Sequence, residues 1–286
     1  METNHMTPVL VIGSCRVHRP VAGQDKKRMH YLTGGVGAYT HTAKEAVQRL
    51  EALRGDHAVA PHLAKYVYAT GGVPADASCR PEELRRSEVL VVEVSSEKEV
   101  VVDDVYLQLN YLASTLIAPL GKEGKAWWSQ LLRHGEPDAR TVAAVLATPA
   151  AASLSNGDRY VLHSARLQRS TRASLRQDMI RLMQLSGRPV LIVTHVDLGQ
   201  MEPGALEGRS RFVACVKQAA EGLPGISVFD PTPVVAAFGK QFALNDDGGD
   251  VNHYAAAFEP ILGRLLATKV DALSRAPKTI SMEIAA

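Results

Sequence analysis

The chain has 286 residues, of which 46% are hydrophobic and 22% charged, the balance of an ordinary globular protein and not of a disordered or membrane protein. Lys and Arg total 32 against 30 for Asp and Glu, so the formal net charge is +2, far below the basic surplus typical of proteins that bind nucleic-acid phosphates. We therefore expect no nucleic-acid partner.

Short apolar runs rich in β-branched residues alternate with helical patterns along the chain. The first run is predicted to be a buried strand that ends at Gly13, and a fourth run is weaker than the others. In chain order the predicted elements are a strand at 8–12, a helix at 42–53, a strand at 89–94, a helix at 175–185, strands at 190–193 and 226–229, and a last helix at about 252–266. This order predicts an α/β fold, a three-layer α/β/α arrangement with a small central parallel sheet.

The segment of residues 103–187 is much longer than a crossover between parallel strands needs. It contains Trp127 and Trp128, and it is predicted to form a helical insertion that acts as a cap or as an interface. We expect a single domain over residues 1–270 that includes this insertion, followed by a tail at 271–286. If the insertion is an interface, it would allow the chain to form a homodimer.

The three cysteines, Cys15, Cys79 and Cys215, are odd in number and widely spaced, which suits neither a disulfide framework nor a zinc site. The N-terminal segment lacks the charged region and cleavage site of a secretory signal, and no apolar stretch approaches a membrane span. The sequence therefore predicts a cytoplasmic protein with no membrane partner. The ten histidines show no metal-ligand spacing, so we expect neither a metal nor a cofactor.

Ligand sites in open parallel sheets lie beyond the carboxyl ends of the strands. Ser14 follows the first predicted strand directly, on a turn where Gly13 leaves room for the serine hydroxyl to face the crevice. This position suits a nucleophile, although a plain turn or a helix N-cap is the alternative interpretation. His195 also follows a strand, as a substrate contact or as a locally bonded loop residue.

A carboxylate stands three residues before an imidazole in Asp250-Val251-Asn252-His253, near the predicted start of the last helix. One helical turn would bring both groups to the same side, where the carboxylate can orient the imidazole as a base for Ser14. The alternative is that Asp250 only caps the helix. Asp246 and Asp247 remain alternatives to Asp250 as the acid that orients His253.

Gly13-Ser14-Cys15 near the N-terminus, together with Asp250-x-x-His253 near the C-terminus, resembles the SGNH or GDSL hydrolases and especially their GSCFA-type members. The motif Gly37-Ala38-Tyr39-Thr40-His41 resembles the second GSCFA block, and residues 92–97 fall where the third block would lie. The resemblance implies an SGNH-type, flavodoxin-like sheet. It also implies that Ser14 attacks an ester or thioester carbonyl, that His253 is base and then acid, and that Asp250 orients His253.

By the same resemblance, the backbone N–H after the turn and the loop at 35–37 would stabilise the oxyanion. The residues that we expect to bind the oxyanion or substrate are Cys15, Gly37, Tyr39, Ser95, Ser96, Glu97 and His195. The third SGNH block normally carries Gly-x-Asn-Asp, whose Asn donates to the oxyanion, whereas this chain has Ser95-Ser96-Glu97. Some capsule-biosynthesis relatives of this fold carry a cysteine in the first block and look like acyltransferases, but Cys15 is also explained as a small buried packing residue.

Three functions follow from this pattern. The first is a serine-dependent acyl hydrolase, an esterase or deacylase with a catalytic triad, whose partner is a small O-acylated molecule. The second is an acyltransferase on the same scaffold that uses an acyl thioester donor and excludes water from the acyl-enzyme. The third is a binding protein without catalysis, suggested by the missing third-block Asn.

Overall fold

The computed structural model describes residues 6–35, 39–68, 79–200 and 207–276. The strands are listed in chain order as β1 Thr7–Ile12, β2 Met29–Leu32, β3 Val89–Val94, β4 Lys98–Val102, β5 Val105–Leu107, β6 Arg166–Arg169, β7 Val190–Thr194, β8 Ile226–Phe229, β9 Leu244–Asn245 and β10 Asp250–Tyr254.

The α-helices are joined by short 3-10 and π turns. They are α1 Cys15–Ala22, α2 Ala43–Arg54, α3 Pro81–Arg86, α4 Leu109–Leu112, α5 Gly121–His134, α6 Ala139–Leu146, α7 Asn156–Ser164, α8 Arg172–Ser186, α9 Glu207–Ala220, α10 Thr232–Phe238, α11 Lys240–Ala243 and α12 Glu259–Arg275. None of these described helices combines the length and the apolar character needed to cross a membrane.

A parallel sheet of five strands in the order β2-β1-β3-β7-β8 lies at the centre of the fold. Alternate residues of its strands pack into two separate apolar clusters, one on each face of the sheet. Leu10 and Leu90 join the cluster that includes α2, α8 and α9, whereas Val9 and Val91 join the cluster with α1 and α12. Burial on both faces explains the nearly continuous apolar runs of these strands. The predicted α/β class with a central parallel sheet is confirmed.

Strand register determines which residues meet at the carboxyl edge of the sheet. Ile12 pairs with Val92, so the turn at Gly13 and Ser14 lies beside Glu93. Val94 pairs with Thr194, which brings Ser95 next to His195. The ends of β1, β3 and β7 therefore converge, as expected for a parallel sheet.

The predicted position of the last helix was wrong. Residues 250–254 form β10, which pairs antiparallel with β9, and α12 begins only at Glu259, with Pro260 in its first turn. Proline suits the first turn of a helix because that position has no intrahelical use for an N–H. Helix α12 continues through Arg275, into the segment predicted as a tail.

The segment of residues 103–187 contains α4 to α8 together with two strands that the sequence did not predict. β5 and β6 flank β4 in a small antiparallel sheet, and α8 packs against α2 and α9. Trp127 is fully buried in the core, where its Nε1–H donates to the carbonyl oxygen of Leu162 at 3.0 Å. Trp127 is therefore a packing residue of the core.

Candidate active site

Ser14 is the N-cap of α1, directly after β1. Its Oγ accepts a hydrogen bond from the backbone N–H of Arg16 at 3.3 Å, and the residue is 3% exposed. The N-cap interpretation thus holds for the local structure. It is compatible with a nucleophile, because the turn also places Ser14 in the wall of a cleft.

Glu93 is a buried carboxylate beside this turn. Its Oε2 accepts the backbone N–H of Ser14 at 2.6 Å, and its Oε1 forms an ion pair with the guanidinium of Arg16. Burial alone would raise the pKa of Glu93, but the charge of Arg16, the proximity of His41 and hydrogen bonds from Ser14 hold it at about 2. Glu93 is therefore ionised at neutral pH.

Gly13 makes room for this arrangement. A Cβ atom at position 13 would lie 2.8 Å from the Cβ of Glu93, closer than two carbon atoms can pack. A glycine is thus required at position 13 because Glu93 approaches the turn so closely.

The Asp250–His253 pair lies on β10, not on a helix. The Nδ1–H of His253 donates to Oδ2 of Asp250 at 2.7 Å, while Oδ1 of Asp250 accepts the backbone N–H of Asn252 at 2.9 Å. These hydrogen bonds, that of Asn252 foremost, lower the pKa of Asp250. A carboxylate on Nδ1 leaves Nε2 of the imidazole as the proton acceptor.

The Ser14 turn and the strand that carries His253 line the same cleft, which has a volume of about 430 Å³. Its walls come from the carboxyl edge of the central sheet, from the N-terminus of α1, and from β10. The lining residues are Ser14, Cys15, Arg16, Tyr39, His41, Ser95, Ser96, Leu109, Asn110, His195, Arg209, Asn252 and His253.

Three histidines line this cleft, and they differ in their surroundings. Burial lowers the pKa of His41 and that of His195, which falls well below its usual range. The Nδ1–H of His195 donates to the carbonyl oxygen of Val196 at 3.2 Å. Of the three, His253 alone has a carboxylate on its ring in the described residues, the arrangement expected of a general base.

Ser95 and Ser96 are at the cleft, but their backbone N–H groups are already used. Both donate to the carbonyl oxygen of His41, at 2.8 and 2.9 Å. Glu97 is outside the set of lining residues and forms an ion pair with Arg169 of β6. Gly37 lies outside the described residues.

Cys15 begins α1 and also lines the cleft. Burial raises the pKa of its thiol, which disfavours the thiolate that a cysteine nucleophile requires. Tyr39 also lines the cleft. It is 45% exposed, and its backbone N–H donates to the Tyr111 hydroxyl at 3.0 Å.

A second arginine, Arg209 of α9, extends into the cleft near β10. It donates to the carbonyl oxygen of Val251 at 3.5 Å and to Oδ1 of Asn252 at 3.2 Å, the two residues between Asp250 and His253. Burial, followed by the nearby charge of Arg16, lowers its pKa to about 10, so it stays charged. Arg209 thereby links α9 to the strand that carries His253.

Residues 7–269 match the model of the TviD N-terminal domain. The chain belongs to this family. Over 266 residues it is 26% identical to the Vi polysaccharide biosynthesis protein TviD of Salmonella typhi, in an alignment that covers 90% of this chain and 31% of that protein. The chain therefore spans less than a third of the length of this relative.

The family range contains both the Ser14 turn and the Asp250–His253 pair. Sequence analysis missed three other residues of the site, Arg16, Glu93 and Arg209. A signal existed for Glu93, because a single charged residue interrupts an otherwise apolar strand of sequence VLVVEV, and such a residue needs a partner when both faces of the sheet are covered.

Proposed function

We propose that Ser14, His253 and Asp250 form a triad that transfers an acyl group from an activated donor to a hydroxyl group, on an SGNH-type scaffold of the GSCFA kind. The observation that carries the proposal is the cleft that holds a buried serine at the end of β1 together with an imidazole whose Nδ1–H is bound by a carboxylate. The shared cleft and the carboxylate on Nδ1 support the proposal, because a triad is defined by the roles of its three members.

In the proposed reaction, Oγ of Ser14 attacks the carbonyl carbon of a thioester or ester, and Nε2 of His253 takes the serine proton. The tetrahedral intermediate collapses to the acyl-enzyme, and the leaving thiolate or alkoxide takes that proton from His253. An acceptor hydroxyl then gives its proton to His253 and attacks the acyl group. The second tetrahedral intermediate expels Oγ of Ser14, which takes the proton back from His253 as the new ester leaves. Asp250 remains ionised and stabilises the imidazolium.

The relative is named as a polysaccharide biosynthesis protein, and this favours a sugar hydroxyl as the acceptor. Hydrolysis is the second candidate, because the side chain of His253 is 48% exposed and water can reach the base. The two candidates share the acyl-enzyme and differ only in what removes the acyl group. The resemblance to GSCFA-type proteins fits either one.

A fluorophosphonate probe tests the shared step. Intact-mass spectrometry should show one adduct on the wild type and on Cys15→Ala, and no adduct on Ser14→Ala. An adduct that persists in Ser14→Ala, or that is lost only in Cys15→Ala, would refute the triad.

A second measurement separates transfer from hydrolysis. The acyl-enzyme is formed with an activated aryl ester, and its lifetime is followed by intact mass with and without a soluble oligosaccharide. Transfer predicts a long-lived acyl-enzyme that is discharged when the saccharide is added, with the acyl mass appearing on the sugar. Equal, rapid discharge in water alone would assign hydrolysis.

A further inference from the structure

Three backbone donors near the cleft are already engaged in the part of the chain that the structure describes. The backbone N–H of Ser14 donates to Glu93, and the backbone N–H groups of Ser95 and Ser96 both donate to the carbonyl oxygen of His41. The third-block position carries no Asn. A side-chain donor elsewhere in the cleft would therefore add to the stabilisation of an oxyanion formed at Ser14.

Arg16 is the cation held beside Ser14. One carboxylate, that of Glu93, binds the serine backbone with one oxygen and the guanidinium of Arg16 with the other. A guanidinium has five N–H donors, and Glu93 is the partner that the described residues offer to this one. The side chain of Arg16 is only 10% exposed, and Arg16 lines the same cleft as Ser14.

The alternative cation, Arg209, is bound to β10 through Val251 and Asn252. Among the described residues, the side chain of Arg16 makes no hydrogen bond to β10 and pairs with Glu93 instead. Its position is fixed from behind by a buried and ionised carboxylate. Preorganisation of this kind is what makes an oxyanion donor effective.

We propose that the guanidinium of Arg16, held in place by Glu93, is the oxyanion donor for acyl transfer at Ser14 and replaces the missing third-block Asn. The inference rests on the proposed function. As Oγ of Ser14 bonds to the carbonyl carbon, the π electrons move to the carbonyl oxygen, and an N–H of Arg16 donates to the resulting anion. When the carbonyl re-forms, the leaving group departs and Arg16 is unchanged.

The test compares rates of acylation by an activated aryl ester in single-turnover experiments. Arg16→Ala is expected to slow acylation of Ser14 by about 10²- to 10³-fold with little change in the ester concentration for half-saturation, since the donor acts in the transition state. Removing Arg16 leaves Glu93 buried without its partner, so the double variant Arg16→Ala with Glu93→Gln is measured as well. The matched control is Arg19→Ala, one turn further along α1, where the side chain is 61% exposed and pairs with Glu259.

Added guanidinium ion should restore a large part of the acylation rate in both Arg16 variants, and it should not accelerate Arg19→Ala. A merely structural role for Arg16 would give no such rescue. The proposal is overturned if the folded Arg16 variants acylate within threefold of the wild type, or if their loss is not rescued. Acylation that survives in Ser14→Ala would instead refute the triad, which keeps the two failures distinct.

Discussion

In the proposed triad, the hydrogen bond between Asp250 and His253 decides which nitrogen of the imidazole takes the proton of Ser14. Asp250→Asn places an amide opposite Nδ1, and the amide can donate to that nitrogen and favour the wrong tautomer. We expect kcat to fall by about 10²-fold, less than for a fully buried acid, because the Asp250 side chain is 32% exposed. Steady-state kinetics with an activated ester measures this loss.

Asp247→Asn is the matched control for this variant. Asp247 has a positive φ of 48°, a conformation that asparagine tolerates well, so the backbone should be preserved. We expect activity within twofold of the wild type. A larger loss in Asp247→Asn than in Asp250→Asn would show that the orienting acid has been assigned to the wrong residue.

At the scale of elements, the crossing of α1 and α12 fixes the helix that Ser14 caps. Gly263 of α12 lies so close to α1 that a Cβ there would be 2.3 Å from the carbonyl oxygen of Pro20. The obstacle is backbone, which cannot rotate away. Gly263→Ala should therefore lower the free energy of unfolding by about 2 kcal/mol or more, as measured by urea unfolding, and should also reduce activity by shifting α1.

Gly208→Ala makes the same chemical change at a position with open space. Gly208 lies in α9, and among the described residues no atom beyond its neighbours in the helix is within 4 Å of a Cβ built there. Because alanine favours the helical conformation more than glycine does, we expect Gly208→Ala to increase the free energy of unfolding by about 0.5 kcal/mol. Equal destabilisation by the two alanines would mean that the α1–α12 contact is not tight.

The elements that sequence analysis predicted well are those whose pattern is set by their own burial. β3 and β7 are buried on both faces and contain only apolar residues apart from Glu93 and Thr194. β2, of sequence MHYL, has only its two end residues buried, so its short pattern gave too little signal. The residues before α12 were misassigned because the alanines at 255–257 extend a helix-like pattern toward β10.

The site divides along the same line. Ser14, Asp250 and His253 lie in short motifs, so the sequence alone could suggest them as a set. The Ser14–Glu93 contact joins residues 79 positions apart, and it depends on the register of β1 against β3. No local pattern records that register, which is why Glu93, the partner of the Ser14 turn, was missed.

For the whole molecule, largely buried imidazoles couple stability to pH. Burial lowers the pKa of His18 to about 4, with Arg49 lowering it further and Glu93 opposing. Since the unfolded chain has a pKa of about 6.5 at this residue, the unfolded state takes up the proton first. The contribution of His18 to stability is thus fully present above about pH 6.5 and is lost as the pH falls toward about 4.

Glu45 acts in the opposite direction and would mask this effect in the wild type alone. Its burial in α2 raises its pKa to about 8, so its contribution is present at low pH and is lost as the pH rises through about 8. The difference between the wild type and His18→Gln cancels the Glu45 term. From about pH 7.5 to about pH 5, the wild type should lose about 2 kcal/mol more than His18→Gln.

Urea unfolding at each pH measures this difference, with His134→Gln as the control because His134 is exposed at the end of α5. The free energy of unfolding of His134→Gln should follow that of the wild type at every pH, since the imidazole of His134 is hydrated in the folded and in the unfolded protein. Parallel curves for the wild type and His18→Gln would contradict the assignment. They would mean that His18 takes up its proton as readily in the folded protein as in the unfolded chain. The imidazole, whose Nδ1 is hydrogen-bonded to the Tyr31 hydroxyl at 2.6 Å, would then be open to water in solution.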